Sequence, residues 1–228
     1  ICAALAEGRI PESRLNESLR RRADALQRSE RNPVDEAAPI LETEGDRDLS
    51  MELVESSLEI QGTGAASHPE RKGVNLIRVD GVLPCAFLRS GAAAISTLER
   101  HGYRTLICHD RGIEPWNANP DRAAPLDLGR LGPGPVFLQL FLRGNPFRAG
   151  QQRPEPWAEA IQQLIRVQRL SGLAVYGCPY RWEALRRLVP DNIPAGYSPG
   201  QMPEAQQQLL EKLISGPRAA NQQRDFTD

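Results

Sequence analysis

The strongest candidate for binding chemistry is the stretch LFLRGNPFRAG, residues 140–150, in which a strongly apolar run leads directly into a polar turn. Arg143 and Arg148 lie on either side of Asn145 in this turn. A planar guanidinium can hold a carboxylate through two parallel hydrogen bonds, and it can also donate to sugar hydroxyls. We therefore predict that Arg143, Asn145 and Arg148 bind a ligand. The residues alone leave open an alternative, in which Gly-Asn-Pro fixes the turn and both arginines pair with neighbouring acids.

Acidic side chains also follow several of the predicted strands, at Asp80, Asp110 and Glu114. In open sheets the carboxyl ends of parallel strands form the ligand edge, so these three residues are admissible site candidates. Most acids at strand ends only cap helices or face water. We therefore assign no catalytic residue to this chain.

Two signatures of phosphate chemistry begin in this sequence but are incomplete. The segment GTGAAS, which starts at Gly62, imitates the first part of a dinucleotide fingerprint. That fingerprint needs a helix directly after the glycines, whereas HPERKG follows here. A phosphoacceptor receiver domain needs an acidic pair after its first strand to hold Mg²⁺, and Gln61 stands at that place. Neither function is predicted.

The nucleophile and metal signatures are also absent from the sequence. No serine occurs in a G-x-S-x-G context, and the histidines have no evident strand-end serine or cysteine partner. The four cysteines are scattered, without metal-ligand spacing to any histidine, at Cys2, Cys85, Cys108 and Cys178. We predict buried free thiols rather than a disulfide framework, no metal site and no cofactor.

Short apolar runs alternate with helical patterns through most of the chain. The runs predicted as strands begin at Leu58, Val74, Thr105, Val136, Leu173 and Ile193. The helical patterns cover residues 48–57, 90–102, 156–170, 180–189 and 203–216. This alternation predicts an α/β fold, a doubly wound and mostly parallel open sheet with helices on both faces, over residues 47–217. The run VFLQLFL at 136–142 is apolar on both faces, which places it centrally in that flavodoxin-like sandwich.

The first part of the chain predicts two helices separated by a break at Gly8. The second helix carries one apolar stripe, made by Leu15, Leu19, Ala23 and Leu26, which must pack on a partner. Residues 29–46 contain prolines and many acids and are predicted to be a linker. Residues 218–228 have nothing to bury and are predicted to be a mobile tail.

The net charge of −1 argues against nucleic acid or an anionic membrane as a partner, because both need a concentrated positive field. No apolar run approaches the roughly 20 residues that a membrane-spanning helix needs. The sequence does not determine the compartment, and we favour the cytoplasm.

The opening segment, AEGRIPESRLNESLRRR, resembles the closing helix of the catalytic barrel in family-three glycoside hydrolases. Its G-R-I-x-x-x-R-L-x-E-S-x-R-R pattern is matched by Gly8, Arg9, Ile10, Arg14, Leu15, Glu17, Ser18, Arg20 and Arg21. The later segments resemble that family's C-terminal α/β sandwich domain, in order: the R-x-N-P-F turn at 143–147, YGCPY at 176–180, A-x-Y-S at 195–198 and E-A-Q at 204–206. The branch most resembled is the β-N-acetylhexosaminidase-like one, with β-glucosidases as its neighbour.

This resemblance implies that residues 1–28 are the last helices of a missing catalytic barrel and that residues 47–217 are its C-terminal domain. The parent would be a retaining hydrolase of β-linked glucosides or N-acetylhexosaminides, and its catalytic groups would lie on the barrel. The fragment alone should then be inactive, with the carbohydrate substrate and the barrel as its partners, and the orphaned helix could self-associate. Glu114 is the one loop acid that could act as the acid/base found in the sandwich domain of some β-glucosidase-like members.

Two other classes of function stay open from the residues alone. One is a non-enzymatic α/β module that binds a sugar or a protein partner. The other is an independent small-molecule enzyme of flavodoxin-like fold.

Overall fold

The computed structural model describes residues 2–31, 44–66, 72–79, 88, 91–108, 114–121, 123–142 and 155–216. The chain divides into two compact units, residues 1–47 and residues 48–228. Within the described ranges, no helix is both long enough and apolar enough to cross a membrane.

The first unit contains helices α1 (Cys2–Ala6) and α2 (Glu12–Arg31). Gly8 separates them with φ of 69°, a left-handed conformation that suits glycine. On α2, Glu17 pairs with Arg21 at 2.5 Å, which is the expected contact one helical turn apart. The apolar stripe is only partly covered, since Leu19 and Leu26 are 51% and 55% exposed.

The helix bounds differ from the sequence prediction at the segment 29–46. Helix α2 continues to Arg31 rather than ending at residue 28, and the next helix already begins at Glu44. At the end of α2 the added residues include Glu30 and Arg31, which are good helix formers. The assignment of residues 1–28 to a catalytic barrel and of residues 47–217 to its C-terminal domain stays a prediction.

The second unit is an α/β domain with a six-stranded sheet and a separate hairpin. Its strands are β1 (Glu59–Gln61), β2 (Gly73–Val79), β3 (Tyr103–Cys108), β4 (Trp116–Asp121), β5 (Ala124–Leu126), β6 (Val136–Leu142), β7 (Leu170–Gly177) and β8 (Ala195–Ser198). Its helices are α3 (Glu44–Ser57), which starts just before the boundary of the unit, α4 (Ala93–Arg100), α5 (Leu128–Leu131), α6 (Trp157–Arg166), α7 (Pro179–Arg186) and α8 (Pro203–Ser215).

The strand order in the large sheet is β1-β8-β7-β6-β2-β3. Strands β2, β3, β6, β7 and β8 pair in parallel, and β1 joins the edge antiparallel to β8. Counted along the chain, the five parallel strands have the order 2-1-3-4-5, which is the flavodoxin-like arrangement. The predicted fold class is confirmed, and β6 lies centrally between β2 and β7 as predicted.

Side chains alternate between two cores, one on each face of the sheet. Leu138 and Leu140 of β6 point to the face covered by α6 and α7, where they join one buried cluster. Phe137 and Phe141 point to the opposite face and join the cluster formed with α4 and α8. Both faces of the sheet are therefore closed by helices, and ligands can reach it only at its edges.

The hairpin of β4 and β5 was not predicted, because WNANPD contains no β-branched residue and has Asn and Pro, which are depleted in strands. Side-chain hydrogen bonds hold it instead. The Asn117 amide donates to the carbonyls of Ala124 (2.7 Å) and Leu126 (3.1 Å). From α6, Gln163 accepts from the Leu126 N–H at 2.8 Å and donates to its carbonyl at 3.1 Å. The hairpin is thus attached to the α6 side of the domain.

Candidate functional site

The carboxyl edge of the sheet has its topological switch point between β2 and β6, which end at Val79 and Leu142. Open α/β sheets bind ligands in the crevice at this point, because the chain leaves the two strands toward opposite sides. Arg143 is the next residue after β6. Arg143, Asn145 and Arg148, the residues predicted to bind a ligand, lie outside the described residues, as do Asp80 and Asp110. Their roles stay predictions.

A buried arginine lies at this switch point. Arg78, the second-last residue of β2, is 6% exposed and points to the α6 face. Its Nε donates to Glu155 Oε2 at 3.0 Å, and its Nη2 donates to Glu155 Oε1 in a shorter contact. This fork geometry is the strongest that an arginine and a carboxylate adopt. A buried charge needs such a partner, so the ion pair fixes Glu155 at the carboxyl edge.

Two tryptophans extend this contact. The indole Nε1 of Trp157, at the start of α6, donates to Glu155 Oε2 at 2.9 Å. The ring of Trp157 packs on Trp116 of the hairpin, with centroids 4.7 Å apart and planes at 55°. We refer to Arg78, Glu155, Trp157 and Trp116 as the carboxyl-edge cluster. It joins the end of β2, the hairpin that follows β3, and the start of α6.

Cys108 ends β3 beside this cluster, paired in register with Arg78. The thiol is fully buried. Burial raises its pKa to about 11, the charge of Arg78 acts in the opposite direction, and Glu155 and Glu114 add to the rise. A thiol is nucleophilic only as the thiolate, so Cys108 is an unreactive core residue. Cys2, Cys108 and Cys178 are all free thiols, as predicted, but the prediction that they are buried is wrong for Cys2, which is exposed, and Cys178 is only partly buried.

We expect this burial to be visible in two measurements. At about pH 8 a thiol reagent should label the exposed Cys2 in the folded chain but reach Cys108 only after unfolding, as mass spectrometry of the labelled peptides would show. Because the folded-state pKa of Cys108 is raised from 9.0 to about 11, its contribution to stability is complete below pH 9 and is lost as pH rises through 11. The fall in unfolding free energy over that range should be shallower in Cys108→Ala. Equal slopes would contradict the assignment.

Glu114, the loop acid considered above, is exposed at the start of the hairpin. Its backbone carbonyl accepts from Arg130 Nη1 at 3.1 Å. In the described ranges, no three His, Cys, Asp or Glu side chains are grouped to hold a metal ion.

The GTG segment lies at the other edge of the sheet. Because β1 is antiparallel, its last residue, Gln61, pairs with Ala195, the first residue of β8. The segment is therefore at the amino edge, away from the switch point. Thr63 N–H donates to the Asp191 carbonyl at 2.7 Å, and a Cβ on Gly64 would lie 2.3 Å from the Asn192 carbonyl oxygen. The glycines allow two backbone segments to pack closely, which explains the motif without a nucleotide.

The fold defines the chain as an open-sheet α/β domain with a flavodoxin-like strand order, whose switch point lies between β2 and β6. A family model described as the bacterial glycosyl hydrolase family 3 C-terminal domain matches residues 66–215, about two thirds of the chain. This chain belongs to that family, and the resemblance inferred from the sequence is confirmed.

Solved structures of similar fold include a glycoside hydrolase family 3 β-N-acetylglucosaminidase from Paenibacillus sp. str. FPU-7, at 14% identity and a TM-score of 0.46. A fungal multi-domain β-N-acetylglucosaminidase of the same family is 14% identical with a TM-score of 0.44. The β-N-acetylglucosaminidase from Thermotoga maritima is 8% identical with a TM-score of 0.35. These alignments cover 93%, 93% and 92% of this chain, but only 39%, 23% and 38% of the respective structures. A comparison with curated protein sequences gives no match.

Proposed function

We propose that this chain is the C-terminal α/β domain of a family 3 glycoside hydrolase that cleaves β-linked N-acetylhexosaminides, with β-glucosides as the second candidate. The observation that carries the proposal is the family match over residues 66–215, which includes all five parallel strands. The N-terminal G-R-I-x-x-x-R-L-x-E-S-x-R-R segment, which resembles the end of the family's barrel, supports it. The parent enzyme's cytoplasmic location stays a prediction.

In this proposal the carboxyl edge of the sheet flanks the active site of the parent enzyme. Arg143, Asn145 and Arg148 follow the central strand β6 at the switch point, and we propose that they contact the carbohydrate substrate. Retaining hydrolysis needs two carboxyl groups about 5 Å apart across the scissile bond. Glu155 is engaged in the ion pair with Arg78, so we place both catalytic groups on the barrel and none on this domain.

The helix α2 gives a second argument for a missing barrel. Leu19 and Leu26 are more than half exposed on its apolar stripe. Complete burial of one leucine side chain is worth about 1.5–3 kcal/mol, so a barrel face that covers both would gain substantially. We propose that this stripe packs on the barrel. Without a barrel the same stripe could pair with a second copy, and a concentration-dependent mass in light scattering would reveal that outcome.

The chain alone should not hydrolyse nitrophenyl N-acetylglucosaminide or nitrophenyl glucoside above background, because it holds no catalytic pair. In the parent enzyme, Arg143→Ala should raise KM for the N-acetylglucosaminide while thermal stability stays unchanged. Arg181→Ala, an exposed arginine on α7, is the matched control and should leave KM and stability as they are. A fall in stability with unchanged KM would favour a structural turn. Turnover by the chain alone that disappears in Glu114→Gln would contradict the placement of the catalytic groups.

A further inference from the structure

We propose that the carboxyl-edge cluster forms a contact site for a neutral sugar, in which Glu155 accepts a hydrogen bond from a sugar hydroxyl or amide N–H and Trp116 packs on the apolar face of the sugar ring. The sugar class rests on the proposed function, whereas the site itself rests on the described residues alone and needs none of the turn residues 143–148.

The first argument is the remaining acceptor capacity of Glu155. A carboxylate has about four acceptor positions on its two oxygens. Oε2 already accepts from Arg78 Nε and Trp157 Nε1, whereas Oε1 accepts from Arg78 Nη2 alone among the described residues. The Glu155 side chain is 28% exposed. Oε1 can therefore accept one more hydrogen bond from a ligand, and its position is already fixed by three protein donors.

The second argument is the exposure of the two stacked tryptophans. Trp157 is 5% exposed and serves as the support, whereas Trp116 is only half-buried and keeps part of its ring at the surface. Ligand sites in proteins combine aromatic surface with a few fixed polar groups. Here both lie beside the switch point, where this fold class binds ligands.

The charges at the proposed site determine which chemical class of ligand it can bind. Arg78 is paired with Glu155, and the more exposed side chain of the two is that of the carboxylate, at 28% against 7%. This arrangement attracts hydrogen-bond donors and repels anions. A neutral sugar offers a rim of hydroxyl and amide donors around a face of C–H groups, which matches the carboxylate oxygen and the indole surface together. An acidic sugar does not match.

The chain contains an internal control for this site. It has three tryptophans, and Trp182 resembles Trp157 in detail: its indole donates to a carboxylate, that of Glu59, at 2.7 Å, and it is 1% exposed. Trp182 packs on Tyr197, far along the sheet order from β2, and has no place in the proposed site. The three indole N–H signals in a proton–nitrogen NMR spectrum can be assigned with single Trp→Phe variants.

The experiment titrates the full 228-residue chain with N-acetylglucosamine, its β-linked disaccharide and glucose. We expect saturable shifts of the Trp116 and Trp157 signals, and no shift of Trp182. Trp116→Ala should weaken binding about tenfold or more, Trp116→Tyr should largely restore it, and Trp182→Phe should leave it unchanged. Thermal unfolding of each variant checks that the fold is intact.

Three outcomes would overturn the proposal: unmoved Trp116 and Trp157 signals, equal shifts of all three signals, or tighter binding of glucuronic acid than of glucose. The proposed function and the proposed sugar site can be refuted independently of each other. A parent enzyme that hydrolyses the N-acetylglucosaminide while the chain shows no shifts would refute the site and leave the function intact. Saturable shifts in the chain with an inactive parent would support the site and refute the hydrolase.

Discussion

Glu155→Ala should lower the free energy of unfolding by about 3 kcal/mol, because it removes the acidic member of the ion pair with the buried Arg78. Arg78 is 6% exposed, and both contacts of the fork disappear together with the hydrogen bond from Trp157. Breaking a buried ion pair by removing one partner costs far more than the pair contributes, since the remaining charge stays desolvated. Urea unfolding followed by circular dichroism measures the loss.

A matched control is Glu183→Ala on α7. Glu183 also pairs with an arginine, Arg186, at 3.1 Å, but the two side chains are 45% and 40% exposed. Exposed pairs of this kind contribute about 0–1 kcal/mol, so the control measures the loss of an arginine–glutamate contact that is not buried. Arg78→Met combined with Glu155→Met should recover most of the stability, because neither member of the buried pair is then left charged. Equal losses for Glu155→Ala and Glu183→Ala would show that Arg78 is not held by Glu155.

The carboxyl-edge cluster also shows which part of the site could be predicted from sequence. An arginine inside the apolar run VNLIRV is a visible signal, since a charge in a buried strand must have a partner. The identity of that partner is not visible, because Glu155 lies 77 residues away and only the fold brings the two together. The turn residues 143–148 are adjacent in sequence and were therefore predicted as a site, whereas the carboxyl-edge cluster combines one local contact, Glu155 with Trp157, with contacts from distant parts of the chain.

The difference between local and non-local signals also explains which strands could be predicted from the sequence. Strands β6 and β7 are buried on both faces and consist mostly of apolar residues, which is the local signal from which they were predicted. β2 is also buried along its length and was predicted from the apolar residues of VNLIRV, although Asn75 and Arg78 interrupt them. The hairpin β4–β5 has no such run and depends on amides of Asn117 and Gln163. The direction of β1 also could not be predicted: three residues at an edge carry no signal for antiparallel pairing.

One residue of the central strand was interpreted too simply. The run VFLQLFL was predicted to be apolar on both faces, yet Gln139 in its centre is completely buried and is the hub of a polar network. Its Nε2 donates to Asn75 Oδ1 and to the Ala94 carbonyl, both at 2.7 Å, and its Oε1 accepts from the Tyr176 hydroxyl at 3.2 Å. The network links β2, β6 and β7 with the first turn of α4.

Gln139→Leu should therefore destabilise the chain by about 3 kcal/mol, although leucine is apolar and of similar volume. The substitution makes little cavity, so the loss comes from Asn75 Oδ1 and the Tyr176 hydroxyl, which stay buried without this partner at about 1–3 kcal/mol each. Gln162→Leu, an exposed glutamine of α6, is the control and should change stability by less than about 0.5 kcal/mol. Urea unfolding of both variants measures the difference.

A double-mutant cycle distinguishes lost hydrogen bonds from poor packing of the leucine. Tyr176→Phe removes the hydroxyl that Gln139 would leave unpaired, so the cost of Gln139→Leu in that background should be smaller than in the original chain by about 1 kcal/mol. If leucine simply packs badly against Phe137 and Phe141 on the same face, the hydroxyl has no influence and the two costs add. Additive losses would thus refute the hydrogen-bond network as the source of the effect. A coupling of the expected sign would show that buried amides, and not apolar contacts alone, hold the first turn of α4 against the centre of the sheet.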